Sequence, residues 1–127
     1  LGTTTSGTSG AQICNTLNSL LSKTSDTRRF QRVTISTAAL ETSVRSSLRN
    51  DFPLTLNVKE MPNYTSGSGH FIAVKGYYFN TSTDFKTITI CDPHPTYSGT
   101  YTYTLEEMET AVESSNGYYN RLDASTV

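Results

Sequence analysis

The sequence of 127 residues has no tryptophan, and only two cysteines and four prolines. Two thiols, Cys14 and Cys91, are too few for a disulfide framework, and each reads as a buried free thiol. No apolar stretch approaches the roughly 20 residues that a membrane-spanning helix needs. Leu1-Gly2-Thr3-Thr4-Thr5 has neither the basic nor the apolar region of a signal peptide. Charge of one sign is also missing. Ten basic against eleven acidic residues leave a formal net charge of -1, so no cationic surface for nucleic acid or an anionic membrane is expected. Lysine is scarce while serine and threonine abound, a composition that accords with a secreted or cell-surface protein. Asn63-Tyr64-Thr65 and Asn80-Thr81-Ser82 match the glycosylation sequon, which has meaning only in a source that glycosylates.

A chain of this length makes one domain, able to bury roughly two thirds of its unfolded surface without disulfides or metal. Residues 1–10 read as a Gly/Ser/Thr loop. Ser9 then caps a helix to Leu21, with Ile13, Leu17, Leu20 and Leu21 as one apolar stripe. Phe30 to Ile35 alternates and reads as a strand. Thr37 caps a second helix to Arg49, with Leu40, Val44 and Leu48 inward, and Phe52-Pro53 terminates it. Leu54, Leu56 and Val58 alternate as a second strand, and Met61 to Gly69 reads as a polar loop. Thr100 to Thr104 reads as a short strand, Thr104-x-x-Glu107 as a capping box for a last helix carrying Leu105, Met108 and Val112, and Tyr118-Tyr119 as a strand closing the sheet. No internal repeat appears. This order predicts an α+β fold with a mostly antiparallel sheet.

The chemistry concentrates in Gly69-His70-Phe71-Ile72-Ala73-Val74-Lys75-Gly76-Tyr77 and Thr87-Ile88-Thr89-Ile90-Cys91-Asp92-Pro93. The turn-forming Asn80-Thr81-Ser82-Thr83-Asp84 between them makes a β-hairpin. A loop centred on Thr81 pairs residues whose numbers sum to about 162, placing Ile72 opposite Ile90 and His70 opposite Asp92. Opposed residues share a face, so the imidazole and the carboxylate are expected to touch. A histidine oriented by a carboxylate is two thirds of a nucleophilic triad. Each residue also has a plainer reading: a strand-end histidine in an ordinary hydrogen bond, and an aspartate capping the turn before Pro93. His94, held between two prolines, reads as a loop histidine, or with His70 and Asp92 as a metal site. Cys14 lies a turn too deep in its helix for an activated thiol and reads as a core residue. Cys91 should point to the face opposite Asp92.

Leu1 to Ser9, the helix ending Leu17-Asn18, the Leu40–Leu48–Pro53 segment, Gly69-His70-Phe71 through Gly76-Tyr77, and Cys91-Asp92-Pro93 together resemble the papain-like cysteine peptidases. The resemblance is greatest to the bacterial double-glycine-leader peptidase-like group of clan CA, family 39. It implies a papain-like fold over residues 1–127 as one incomplete domain, with His70 as general base and Asp92 as the residue that orients it. It implies no cofactor, no metal, and a peptide or protein substrate. It also implies a Gln-x-x-x-x-Cys-Gly segment upstream of the position of Leu1, which Gln12 and Cys14 do not match in spacing. The chain therefore resembles the carboxy-terminal part of a peptidase domain: a processed fragment whose companion carries the thiol, a truncated piece, or a non-catalytic derivative that binds peptide. An apolar face left by the missing helix would invite that companion or a second copy.

Overall fold

The computed structural model describes residues 8–123. The expectations for residues 1–7, including the first segment of the resemblance, lie outside them. The elements in chain order are α1 (Gly10–Leu21), β1 (Arg29–Thr34), α2 (Thr37–Arg49), β2 (Leu54–Met61), β3 (Tyr64–Asn80), β4 (Phe85–Asp92), β5 (Gly99–Thr104), α3 (Leu105–Glu113) and β6 (Tyr118–Asp123). The strands form one antiparallel six-stranded sheet in the order β1-β6-β2-β3-β4-β5. The fold is thus α+β. Among the described residues no helix is long and apolar enough to cross a membrane.

One face of the sheet carries the core. Leu54, Leu56 and Val58 of β2, Ile72 and Val74 of β3, and Ile88 and Ile90 of β4 alternate onto it, where Leu40 and Val44 of α2 and Leu105, Met108 and Val112 of α3 cover them. The capping box expected at Thr104 and Glu107 starts α3. The cap of α2 is Ser36 rather than the expected Thr37, since Ser36 is extended and accepts from the Ala39 amide. Thr37 instead hydrogen-bonds Glu109 and ties α2 to α3.

Helix α1 lies on the other face. A side chain on Gly10 would meet Arg32, Asn120 and the Phe71 ring, all on the face away from the core. Ser9 and Gln12 form its capping box. Of the expected stripe, Ile13, Leu17 and Leu21 are half-buried and none of the four, Leu20 included, is fully buried. Only Gly10 and Cys14 are buried, while Leu20 is 55% exposed. Small side chains let the helix approach closely, and Asn18 grips edge strand β1, donating to the Phe30 carbonyl at 2.9 Å and accepting from its amide at 2.7 Å.

Two irregularities in β3 depart from the expected hairpin. The residues read as the loop Met61–Gly69 hold a two-residue turn, Pro62-Asn63, after which β3 already begins at Tyr64. The β2–β3 register shifts between Val58 and Glu60, and the extra residues precede Gly69, whose φ of +95° favours glycine. In the β3–β4 ladder, Ala73 faces Cys91 and Val74 faces Ile90, two residues from the expected alignment. Beyond a bulge at Lys75, Gly76 faces Thr89 and Tyr77 faces Ile88. The slip of two residues before the bulge keeps those side chains on their expected face, whereas beyond it the slip is three and the odd-numbered Tyr77 and Phe79 take the core face. The bulge lets β3 keep burying side chains on both sides of it, Ile72 and Val74 before, Tyr77 and Phe79 after.

Leu56 is 0% exposed at the centre of the sheet, between β6 and β3. Leu56→Ala should cost ~2–5 kcal/mol of unfolding free energy, read from urea denaturation.

Candidate active site

At one end of the sheet, β3 and β4 bring three side chains together on the core face. His70 Nε2 lies 2.7 Å from Asp92 Oδ1, and the Tyr64 hydroxyl donates to Asp92 Oδ2 at 2.5 Å. The His94 amide also donates to Asp92 Oδ1, at 2.8 Å. Asp92 therefore does both things expected of it: it closes a turn before His94 and holds an imidazole. It is 4% exposed, whereas the His70 side chain keeps 19% of its surface open to solvent.

The pairing is diagonal rather than directly across the ladder. With Val74 opposite Ile90, His70 lies beyond the last paired residues, and its imidazole reaches along the strand to Asp92. Gly69 turns the chain into the strand just before His70, and the Ser66 hydroxyl donates to the Gly69 carbonyl at 3.1 Å.

The electrostatics favour an ionised carboxylate. Burial pushes the Asp92 carboxyl up, but the Tyr64 hydroxyl, the His94 amide and His70 more than offset this and hold it below the usual carboxylate range. Burial and the bond to Asp92 push the Tyr64 phenol well up, so it remains a donor. An ionised Asp92 accepts from Nε2–H of His70, which leaves Nδ1 as the basic nitrogen of the neutral ring.

His94 sits beside the pair but is turned into its own loop. Its Nδ1 accepts from the amides of Thr96 at 3.0 Å and Tyr97 at 3.3 Å. Its ring meets the His70 ring edge-on, with centroids 5.5 Å apart. Both Asp92 oxygens are already held by donors, and among the described residues no three His, Cys, Asp or Glu side chains gather as a metal-binding group. The metal reading of His70, Asp92 and His94 finds no support in this geometry.

Neither thiol reaches His70. Cys14 faces β1 from α1 on the opposite side of the sheet, and its Sγ donates to the Phe30 carbonyl at 3.3 Å. Burial raises its pKa, with Arg32 opposing, so it is a structural thiol. Cys91, between Ile90 and Asp92 in a regular strand, points away from the core face.

Tyr64 is the site residue that sequence reasoning missed. The Gly/Ser-rich composition of residues 61–69 hid it inside an apparent loop. Its signal was the apolar pair Met61 and Tyr64 flanking Pro62-Asn63, which reads as a two-residue hairpin turn. Aromatic rings wall this side. Tyr97 stacks on Tyr64 with centroids 4.7 Å apart and planes 3° from parallel, and the Tyr103 hydroxyl donates to Asn63 at 2.8 Å. Comparison with protein-family models, curated proteins and solved structures finds no match to this chain.

The depressed Asp92 carboxyl has a consequence for stability. Its folded value lies below the unfolded value of about 3.9. Asp92 therefore stabilises the fold above that pH, and this contribution is lost as the pH falls through the folded value. Urea midpoints measured between pH 6 and pH 2 should fall more steeply for the wild type than for Asp92→Asn; parallel slopes would remove the assigned ionisation.

Proposed function

We propose that His70 and Asp92 are the general base and the orienting acid of a papain-like thiol peptidase, with the nucleophile delivered from a segment or companion chain upstream of Leu1. The observation that carries this reading is the 2.7 Å contact between His70 Nε2 and a buried Asp92 carboxylate. A partly exposed imidazole fixed at one nitrogen presents the other, Nδ1, at the rim of the sheet. The α+β architecture with its six-stranded antiparallel sheet accords with the resemblance found in the sequence.

In the assembled site, Nδ1 of His70 takes the thiol proton and gives a thiolate–imidazolium pair. Asp92 keeps the ring in the Nε2–H tautomer and stabilises its positive charge. The thiolate attacks a peptide carbonyl, and the Nδ1 proton passes to the leaving amine. Nδ1 of His70 then takes a proton from water as its oxygen attacks the acyl-enzyme; the thioester C–S bond breaks, the carboxylic acid leaves, and the thiolate–imidazolium pair is restored. A secreted or cell-surface setting accords with the Ser/Thr-rich, Lys-poor composition.

A second reading is a peptide-binding module on the same fold. The positions of Cys14 and Cys91, both directed away from the His70 face, favour it. The two readings separate on whether a thiol reaches Nδ1.

In the complete, thiol-bearing protein, His70→Ala should lower kcat by ~1,000-fold or more while leaving the circular dichroism spectrum unchanged. Cys14→Ser and Cys91→Ser should retain hydrolysis. Full activity in His70→Ala would refute the assigned base, and a complete protein with no thiol beyond Cys14 and Cys91 would favour the binding module.

A further inference from the structure

The peptidase reading uses His70 and Asp92 but assigns nothing to the third member of the cluster. We propose that Tyr64 is a positioning residue for the pair, its hydroxyl locking the Asp92 carboxylate so that Oδ1 faces His70. The effect on rate rests on the peptidase reading; the positioning itself does not.

The carboxylate of Asp92 is saturated in an uneven way. Oδ1 takes the His70 ring nitrogen at 2.7 Å and the His94 amide at 2.8 Å, whereas Oδ2 takes the Tyr64 hydroxyl at 2.5 Å. Rotating the carboxylate about its Cβ–Cγ bond would break all three contacts. The His94 amide alone leaves this rotation weakly opposed, because it shares an oxygen with the imidazole. The Tyr64 hydroxyl, on the other oxygen, sets the plane.

Tyr64 is itself held from three directions. Its backbone is pinned by the Pro62-Asn63 turn, in register with Met61. Its ring packs against both Tyr97 and His94, with centroids 4.7 Å away in each case, and those two rings lie 5.1 Å from each other. Asn63 is tied to the Tyr103 hydroxyl on β5. The phenol is 9% exposed, so water competes poorly for its bond to Asp92. Its elevated pKa keeps the proton on the phenol across the working range.

Without that hydroxyl, Oδ2 would sit in a dry environment with its donor gone. Burial would then favour a proton on the carboxyl, and a neutral Asp92 no longer stabilises an imidazolium. The titratable groups around Asp92 are Tyr64 and His70 of β3, His94 of the following loop, and Tyr103 of β5, with Tyr101 and Glu107 acting at one remove. Of these, only the two histidines can be cationic. A space-filling role is separable from this one, since phenylalanine preserves the stack on Tyr97 and removes only the hydroxyl.

The experiment is an NMR titration of the Asp92 carboxyl carbon in the full chain, as wild type, as Tyr64→Phe, and with 3-fluorotyrosine at position 64. The Phe variant should titrate about one pH unit or more above the wild type, the size of one hydrogen bond to a charged group. The fluorinated phenol, a stronger donor of nearly the same shape, should titrate below the wild type. A Phe midpoint equal to the wild type overturns the proposal. If the Phe variant does not fold, an unshifted midpoint in the fluorinated chain overturns it alone. In the thiol-bearing protein, Tyr64→Phe should lower kcat ~10-fold at unchanged KM and move the acid limb of the rate profile upward. A shifted carboxyl titration together with a fully active His70→Ala upholds the role of Tyr64 and sinks the peptidase reading. An unshifted one sinks the positioning role whatever His70→Ala does.

Discussion

A buried carboxylate is the constraint around which this end of the molecule is arranged. Asp92 is almost wholly withdrawn from solvent, and an ionised group there is tolerable only where donors replace the lost water. Three donors do so, and each reaches it by a different local device. The Asx turn before His94 supplies an amide, the left-handed Gly69 brings His70 into the strand, and the tight Pro62-Asn63 turn brings the Tyr64 phenol back over the sheet. The same contacts that satisfy the anion also fix which nitrogen of the imidazole remains basic. Stability and chemistry therefore draw on one set of hydrogen bonds.

The sheet separates two environments. Helices α2 and α3 cover the face on which the His70–Asp92 pair lies, whereas α1 covers part of the other through Gly10 and Cys14. Cys14 is spent on packing and on the Phe30 carbonyl, and it is kept a protonated thiol by burial. A nucleophile for the proposed reaction must then approach from the His70 side, along the open rim where the imidazole keeps its exposed edge.

Much of the architecture was legible because it rests on local rules. The helix cap at Ser9, the capping box at Thr104 and the alternation of Leu54, Leu56 and Val58 each survive into the structure. The His70–Asp92 contact was legible for a subtler reason. The pairing deduced from the loop was displaced, yet by an even number of residues, and side-chain direction in a strand depends only on parity. What was illegible came from context. The apolar stripe of α1 pointed to a packing face, but Gly10, Cys14 and Asn18 set the closer approach to β1. Tyr64 was hidden by neighbours whose composition suits a loop, and the bulge at Lys75 carries no compositional mark beyond the adjacent Gly76.

That single extra residue has a consequence for how the molecule can vary. The outer part of the β3–β4 arm and its inner part run out of phase by one position, and Lys75 absorbs the difference. Had the outer phase continued inward, Asp92 would share a side with Ala73 and turn its back on the imidazole. The bulge thus acts as a clutch between the arm and the reactive end. Length changes near the arm's tip leave the reactive end undisturbed, whereas one residue added between His70 and Val74, with Val74 kept opposite Ile90, would hand the imidazole to the side guarded by α1.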